Sequence, residues 1–135
     1  MGRDPVALIG LHVFGFPNMI MPMGPQSGGP STNLPRAIEI GVDWTTHLLQ
    51  FMWRHGYTRE EATPEAEQDW STYVRELYRF MLMRKTQSWF TGYNSNVEGH
   101  EKGTMRYLVY FGGTPKYRAK LEAVADAGYV EISFR

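Results

Sequence analysis

Apolar positions change rhythm several times along this chain, and each change marks an element. Residues 6–14 are mostly apolar without a helical period, and they run into Gly15-Phe16-Pro17-Asn18 and Met19-Ile20-Met21. A short continuous apolar run between turn residues predicts a buried strand, which Pro17 and Pro22 confine to a few positions. Residues 24–32 hold three glycines and two prolines, and so predict a loop. Asn33-Leu34-Pro35 then opens a helix, with Asn33 near the N-cap and Pro35 in the first turn, where a missing N–H does no harm. Ala37, Gly41, Trp44, Leu48 and Phe51 form one stripe to about His55, and Gly56 supplies the stop.

The second half reads similarly. Thr58 and Glu61 have capping-box spacing, enough for a single turn. Thr63-Pro64 is a stronger start, followed by Glu65, Glu67 and Asp69. Ala66, Trp70, Tyr73, Leu77, Phe80 and Met81 recur at helical spacing to about Arg84, with acid at the front and base at the back, as a helix dipole favours. The period disappears over residues 86–103, a connection long enough to suggest a working loop. Residues 105–111 are aromatic and β-branched, and predict a strand. Gly112-Gly113 breaks it, Thr114-Pro115 starts a helix that Gly128 ends, and residues 129–134 alternate as a final short strand. The predicted order is strand–loop–long helix, second helix, then strand–helix–strand, an α/β arrangement.

Composition narrows the function classes. Fourteen basic side chains balance fourteen acidic ones, scattered rather than clustered, so nothing favours a nucleic-acid partner. Cysteine is absent, which excludes disulfides, thiolate metal sites and a cysteine nucleophile. No apolar run approaches a membrane span, and no secretory h-region opens the chain; the expectation is a soluble, cytoplasmic protein. His47 and His55 share a helix but have no ligand partner at metal-site spacing, so no metal is expected. Ser27 lacks the G-x-S-x-G setting of a hydrolase nucleophile. Neither a Walker A lysine nor a G-x-G-x-x-G occurs anywhere in the sequence. Two features remain as candidates: the glycine-rich loop before the long helix, and Trp89 in a loop of small polar residues. An indole there either folds back on the body or closes on a ligand, with the ring as platform and its N–H as donor.

An ordered set of short motifs resembles the type I Baeyer–Villiger flavin monooxygenases. Gly15-Phe16-Pro17-Asn18-Met19, Gly24-Pro25-Gln26-Ser27, Asn33-Leu34-Pro35 with Ile38-Glu39, and Asp43-Trp44 come first. Thr63-Pro64-Glu65-Ala66-Glu67 with Trp70, Ser88-Trp89-Phe90-Thr91-Gly92, Gly112-Gly113 with Tyr117-Arg118, and Ala127-Gly128-Tyr129 follow in the family's order. The resemblance spans nearly the whole chain and points to the family's carboxyl-terminal region.

What it implies is specific. Such oxidoreductases hold FAD, use NADPH and O2, and insert an oxygen beside a ketone carbonyl to give an ester or lactone. The fold would be the second part of a split FAD-binding domain. Residues 1–57 would supply a strand, the flavin-facing loop and a helix, residues 58–103 a helix and a mobile tryptophan loop, and residues 104–135 the strand–helix–strand. Gly24, Pro25, Gln26, Ser27, Asn33 and Leu34 would lie beside the flavin, and Trp89 would close over the nicotinamide. Gly29, Pro30, Ser31 and Leu34 would line the ketone pocket. The family's nucleotide fingerprints and active-site arginine are not in these residues, so no catalytic residue is assigned and the chain alone is expected to be inactive. The residues 16–21 strand and the Trp44 helix are expected to lack their partner layers, which invites pairing with the absent flavin- and NADPH-binding region or self-association. The segment from Asn94 to Thr104 runs longer than in the family and lacks its N-x-P-G-K pattern. The alternative is a free-standing, non-catalytic binding domain derived from the family, marked by an apolar pocket near Leu34 and Trp89.

Overall fold

A computed structural model describes residues 4–28, 32–100 and 105–135. Its longest element is α1, Leu34–His55, and both predicted ends hold. The Asn33 side chain accepts from the Arg36 N–H at 3.2 Å, and Gly56 closes the helix at φ 72°, a left-handed turn that glycine takes without a Cβ penalty. A second helix, α2, covers Pro64–Tyr78, with the Thr63 hydroxyl accepting from Ala66 N–H at 3.4 Å. The third, α3, covers Thr114–Asp126. Two short strands, β1 at Glu60–Ala62 and β2 at Ile132–Phe134, pair antiparallel with Glu61 opposite Ser133.

Where pattern and structure differ, the reason is the partner available. Residues 7–12 are buried, as their apolar run requires, but form no strand. Positive φ at Ile9 and Gly10 turns the chain, so Leu8 N–H meets the His12 carbonyl while Met21 N–H meets the Leu11 carbonyl. Gly10 lies so close to Ser27 that a Cβ there would sit 2.4 Å from the Ser27 Cα. Among the described residues the expected strand at residues 105–111 is likewise reduced to one parallel bridge, Gly28 with Tyr110: residues 26–28 lie alongside its far end, and Arg106 N–H reaches the Thr91 carbonyl at 2.9 Å. Residues 58–61 form no capped turn; they extend into β1, where Thr58 and Arg59 N–H both reach the Arg135 carbonyl. The second helix stops at Tyr78, six residues early, and leaves Phe80 exposed.

The core lies between the helices and the coiled amino-terminal segment. Trp44, expected to lack a partner layer, is buried: its indole donates to the Leu121 carbonyl at 2.8 Å and so ties α1 to α3. Tyr117 from α3 crosses to the other side and donates to the Ile9 carbonyl at 2.7 Å. His12 and Glu60, both almost fully buried, meet at 3.0 Å between the amino-terminal coil and β1, with Trp44 edge-on to the imidazole. Among the described residues no helix is long and apolar enough to cross a membrane, and no three potential metal ligands converge.

Candidate functional site

Tyr78 fixes the geometry from which the cleft is built. Its phenol, at the end of α2, donates to the Phe90 carbonyl at 3.2 Å and accepts from Val109 N–H at 3.0 Å. One side chain thus bolts the tryptophan loop to the residues 105–111 segment. Burial pushes this phenol above its ordinary pKa, so it remains a donor across the physiological range.

The loop itself is locally determined. The Ser88 and Thr91 side chains cap a single 3₁₀ turn, Trp89–Thr91, reciprocally: Thr91 Oγ1 accepts from Ser88 N–H and Ser88 Oγ from Phe90 N–H, each at 3.2 Å. Gly92 closes the turn at φ 81° against the Arg106 side chain. This brace holds Trp89 outward, with 78% of its surface exposed. The indole is therefore not folded back on the body.

Trp89 stands at the rim of an open cleft of about 660 Å³. Met23, Ser27, Leu34, Phe90, Leu108 and Val109 line it together with Gly28. Of the residues singled out from sequence, Ser27, Leu34 and Trp89 are brought together here; Leu34, on the first turn of α1, is 54% exposed. Asn33 stands beside them as the cap of α1.

Others have different surroundings. Gln26 is buried at φ 66° and all its polar groups are engaged by protein. Its Nε2 donates to the Tyr107 carbonyl at 3.2 Å, and its Oε1 accepts from Ser71 at 3.0 Å. The Gln26 N–H reaches the Leu108 carbonyl at 2.8 Å, and its own carbonyl accepts from the Trp70 indole at 3.3 Å. Gly24, next to the half-buried Pro25, packs against the Gly10 carbonyl, 2.7 Å from where its Cβ would be. Gly29, Pro30 and Ser31 lie outside the described residues. Met23, Gly28, Leu108 and Val109 complete the cleft without having been singled out. Phe90 lay within a quoted motif, but nothing in periodicity could show that residues 23–34, 89–90 and 108–109 meet.

No family model matches the chain. Individual proteins do. It is 40% identical over 127 residues to the phenazine N-monooxygenase PhzNO1 of Lysobacter antibioticus, covering 93% of this chain and 22% of that protein. It is 34% identical over 130 residues to a Baeyer–Villiger monooxygenase of Pseudooceanicola batsensis, covering 96% and 23% respectively. The fold agrees with the crystal structure of NADP+-bound cyclohexanone monooxygenase from Rhodococcus sp. Phi1, with a TM-score of 0.85 and 32% identity over 97% of this chain and 23% of that one. The chain matches a segment of the Baeyer–Villiger monooxygenase family. It spans less than a quarter of the length of these relatives. Two further matching structures, 27% and 26% identical, are of OTEMO in complex with FAD and NADP.

Proposed function

We propose that these residues form the cofactor- and substrate-facing part of an FAD- and NADPH-dependent Baeyer–Villiger monooxygenase, which converts ketones to esters or lactones with O2. The observation that carries this reading is the meeting of Ser27, Leu34 and Trp89 at one apolar cleft, in a chain that matches that family over nearly its whole length. A flat ring system with one polar edge fits the cleft. Met23, Leu34, Leu108 and Val109 offer apolar walls, and the first turn of α1 offers the positive end of a helix dipole to negative charge. When bound, the flavin supplies the redox and oxygen chemistry.

The chain's own residues bind, orient and exclude water. Gly24, Pro25 and Gln26 shape the loop, Asn33 orders the first turn of α1, and Ser27 and Leu34 face the flavin. Trp89 covers the nicotinamide, its indole N–H serving as donor. Gly29, Pro30, Ser31 and Leu34 line the ketone side. In this division residues 1–57 carry the flavin-facing loop and helix, residues 58–103 the tryptophan loop, and residues 104–135 the far wall of the cleft.

The 135 residues contain no dinucleotide fingerprint, so the isolated chain is expected to show no flavin absorbance and no ketone-dependent NADPH oxidation. Grafted in place of the matching segment of the Pseudooceanicola batsensis enzyme, it supports both. Turnover by the isolated chain would contradict the first statement. A graft that folds and binds flavin yet oxidises no ketone would contradict the second. A free-standing binding domain is the competing reading, supported by the apolar cleft beside Leu34 and Trp89. It requires a cooperative fold that binds a ligand in that cleft with no other polypeptide present.

A further inference from the structure

Four oxidisable rings form one continuous stack through the body of the chain. Trp70 lies nearly parallel to Tyr110, with ring centroids 5.4 Å apart and planes 12° apart. Tyr117 stands 5.4 Å from Tyr110 and 6.3 Å from Trp70. Tyr73 stands 5.7 Å from Trp70 and 6.1 Å from Tyr110. Each ring therefore has at least two of the others at separations where aromatic faces and edges touch.

The two ends of the stack open on different surfaces. Gly28 lines the cleft beside Trp89, and a Cβ built on it would lie 3.6 Å from the Tyr117 ring. With no side chain at Gly28, that ring lies directly behind the cleft wall. At the other end Tyr73 and Trp70 line an outer hollow of about 450 Å³ with Asp69, Lys120 and Glu131. Trp70 is buried and Tyr73 is half-buried, so Tyr73 is the ring that solvent reaches there.

Packing alone does not account for every oxygen in the stack. The Tyr110 hydroxyl is buried against Gly112 with no well-formed hydrogen bond among the described residues, and the Tyr73 phenol is the side chain that bears on it most. A buried phenol in that position costs stability that phenylalanine would not. What tyrosine adds is a ring that gives up an electron far more readily.

We propose that Tyr117, Tyr110, Trp70 and Tyr73 form an electron relay that carries oxidising equivalents from the cleft to the outer hollow. The proposal rests on the function proposed above in one respect: oxygen chemistry in the cleft exposes its walls to stray radicals. An organic peroxyl radical in the cleft takes one electron from Trp70 across Tyr110 and Tyr117, gains a proton from water, and leaves as a hydroperoxide. The Trp70 radical cation keeps its N–H proton on the Gln26 carbonyl. Tyr73 then refills Trp70 with one electron and releases its phenolic proton to the hollow, which leaves a neutral tyrosyl radical. A thiol in solution returns one hydrogen atom to Tyr73 and departs as a thiyl radical.

The test exploits the absence of cysteine. In the full 135-residue chain, Leu34→Cys gives a unique anchor for a ruthenium photo-oxidant at the cleft rim, and Trp89→Phe removes the exposed indole beside it. Flash oxidation of the label is followed by transient absorption, and a nitroso spin trap marks the final radical for mass spectrometry. The relay predicts a trapped radical on Tyr73, lost with Tyr73→Phe and lowered at least tenfold by Trp70→Phe. Tyr57→Phe, outside the stack, should leave it unchanged. Unaltered circular dichroism and melting of each variant separate loss of the relay from loss of folding. In the Pseudooceanicola batsensis graft, Tyr73→Phe should leave the initial rate of NADPH oxidation unchanged and hasten inactivation during turnover without ketone at least threefold. A Tyr73 yield that Trp70→Phe does not lower, a radical trapped elsewhere, or equal inactivation of the two grafts would overturn the relay. A graft that oxidises no ketone would sink the proposed function while the labelled chain still decides the relay.

Discussion

Gln26 and Trp89 come from the same set of family-like motifs, and their surroundings are opposite. Gln26 is buried, and each of its four polar groups already has a protein partner: Ser71, Trp70, Tyr107 or Leu108. Trp89 is braced by the Ser88–Thr91 turn and stands almost wholly in solvent. Residues from one set of motifs can therefore do two different physical jobs. One residue ties the loop to α2 and the residues 105–111 segment; the other presents a surface that the fold itself does not need.

Substitutions can break or sharpen that contrast. The largest effect is expected for Gln26→Ala, which strands the Ser71 hydroxyl and the Tyr107 carbonyl in the core. Urea unfolding should show a loss of roughly 2–4 kcal/mol. A loss within experimental error would mean that Gln26 is no structural knot. Tyr78→Phe comes next: removing the bolt between the Phe90 carbonyl and Val109 N–H should cost about 1–3 kcal/mol and hasten proteolysis around Trp89.

Glu131→Gln should have a smaller and pH-dependent effect. Burial raises the carboxyl's pKa, with Lys120 lowering it and Asp69 raising it to lesser extents. A folded-state pKa above the unfolded value favours the fold while the group is protonated in both states, and that advantage is lost as pH rises through the folded pKa. The amide should therefore raise the melting temperature at neutral pH and give no gain below the ordinary carboxylate range. An equal gain at both would assign the effect to packing. Trp89→Ala should be the mildest for folding, within about 0.5 kcal/mol of wild type by the same urea titration, because its side chain packs so little.

Local chemistry explains what could be read from sequence. Asn33, Gly56 and Thr63 mark helix ends through caps that act over a few residues, and all three do so in the structure. The predicted strands at residues 6–21 and 105–111 depended on neighbours that sequence pattern cannot supply, and the backbone turned or stayed extended instead. The end of α2 differs for a related reason: Phe80 fits the helical stripe, but it stands exposed and gains no packing there. Within the site, the glycine-rich loop and Trp89 were visible as compositional oddities. Their meeting across Leu108 and Val109 was not, because it depends on the Tyr78 bolt and on the pairing of residues 26–28 with residues 108–110. Burial of Gln26 was hidden for the opposite reason, since a glutamine in a glycine-rich loop reads as surface until its four partners are in place.

Under the proposed function, the Trp89 rim faces the nicotinamide cofactor and Gln26 supports the loop beside it. The most direct measurement is steady-state NADPH oxidation by the Pseudooceanicola batsensis graft carrying Trp89→Ala, with its melting temperature recorded alongside. Unchanged melting with kcat/KM for NADPH lowered about tenfold or more is the expected result. Unchanged kinetics on an equally stable graft would contradict it.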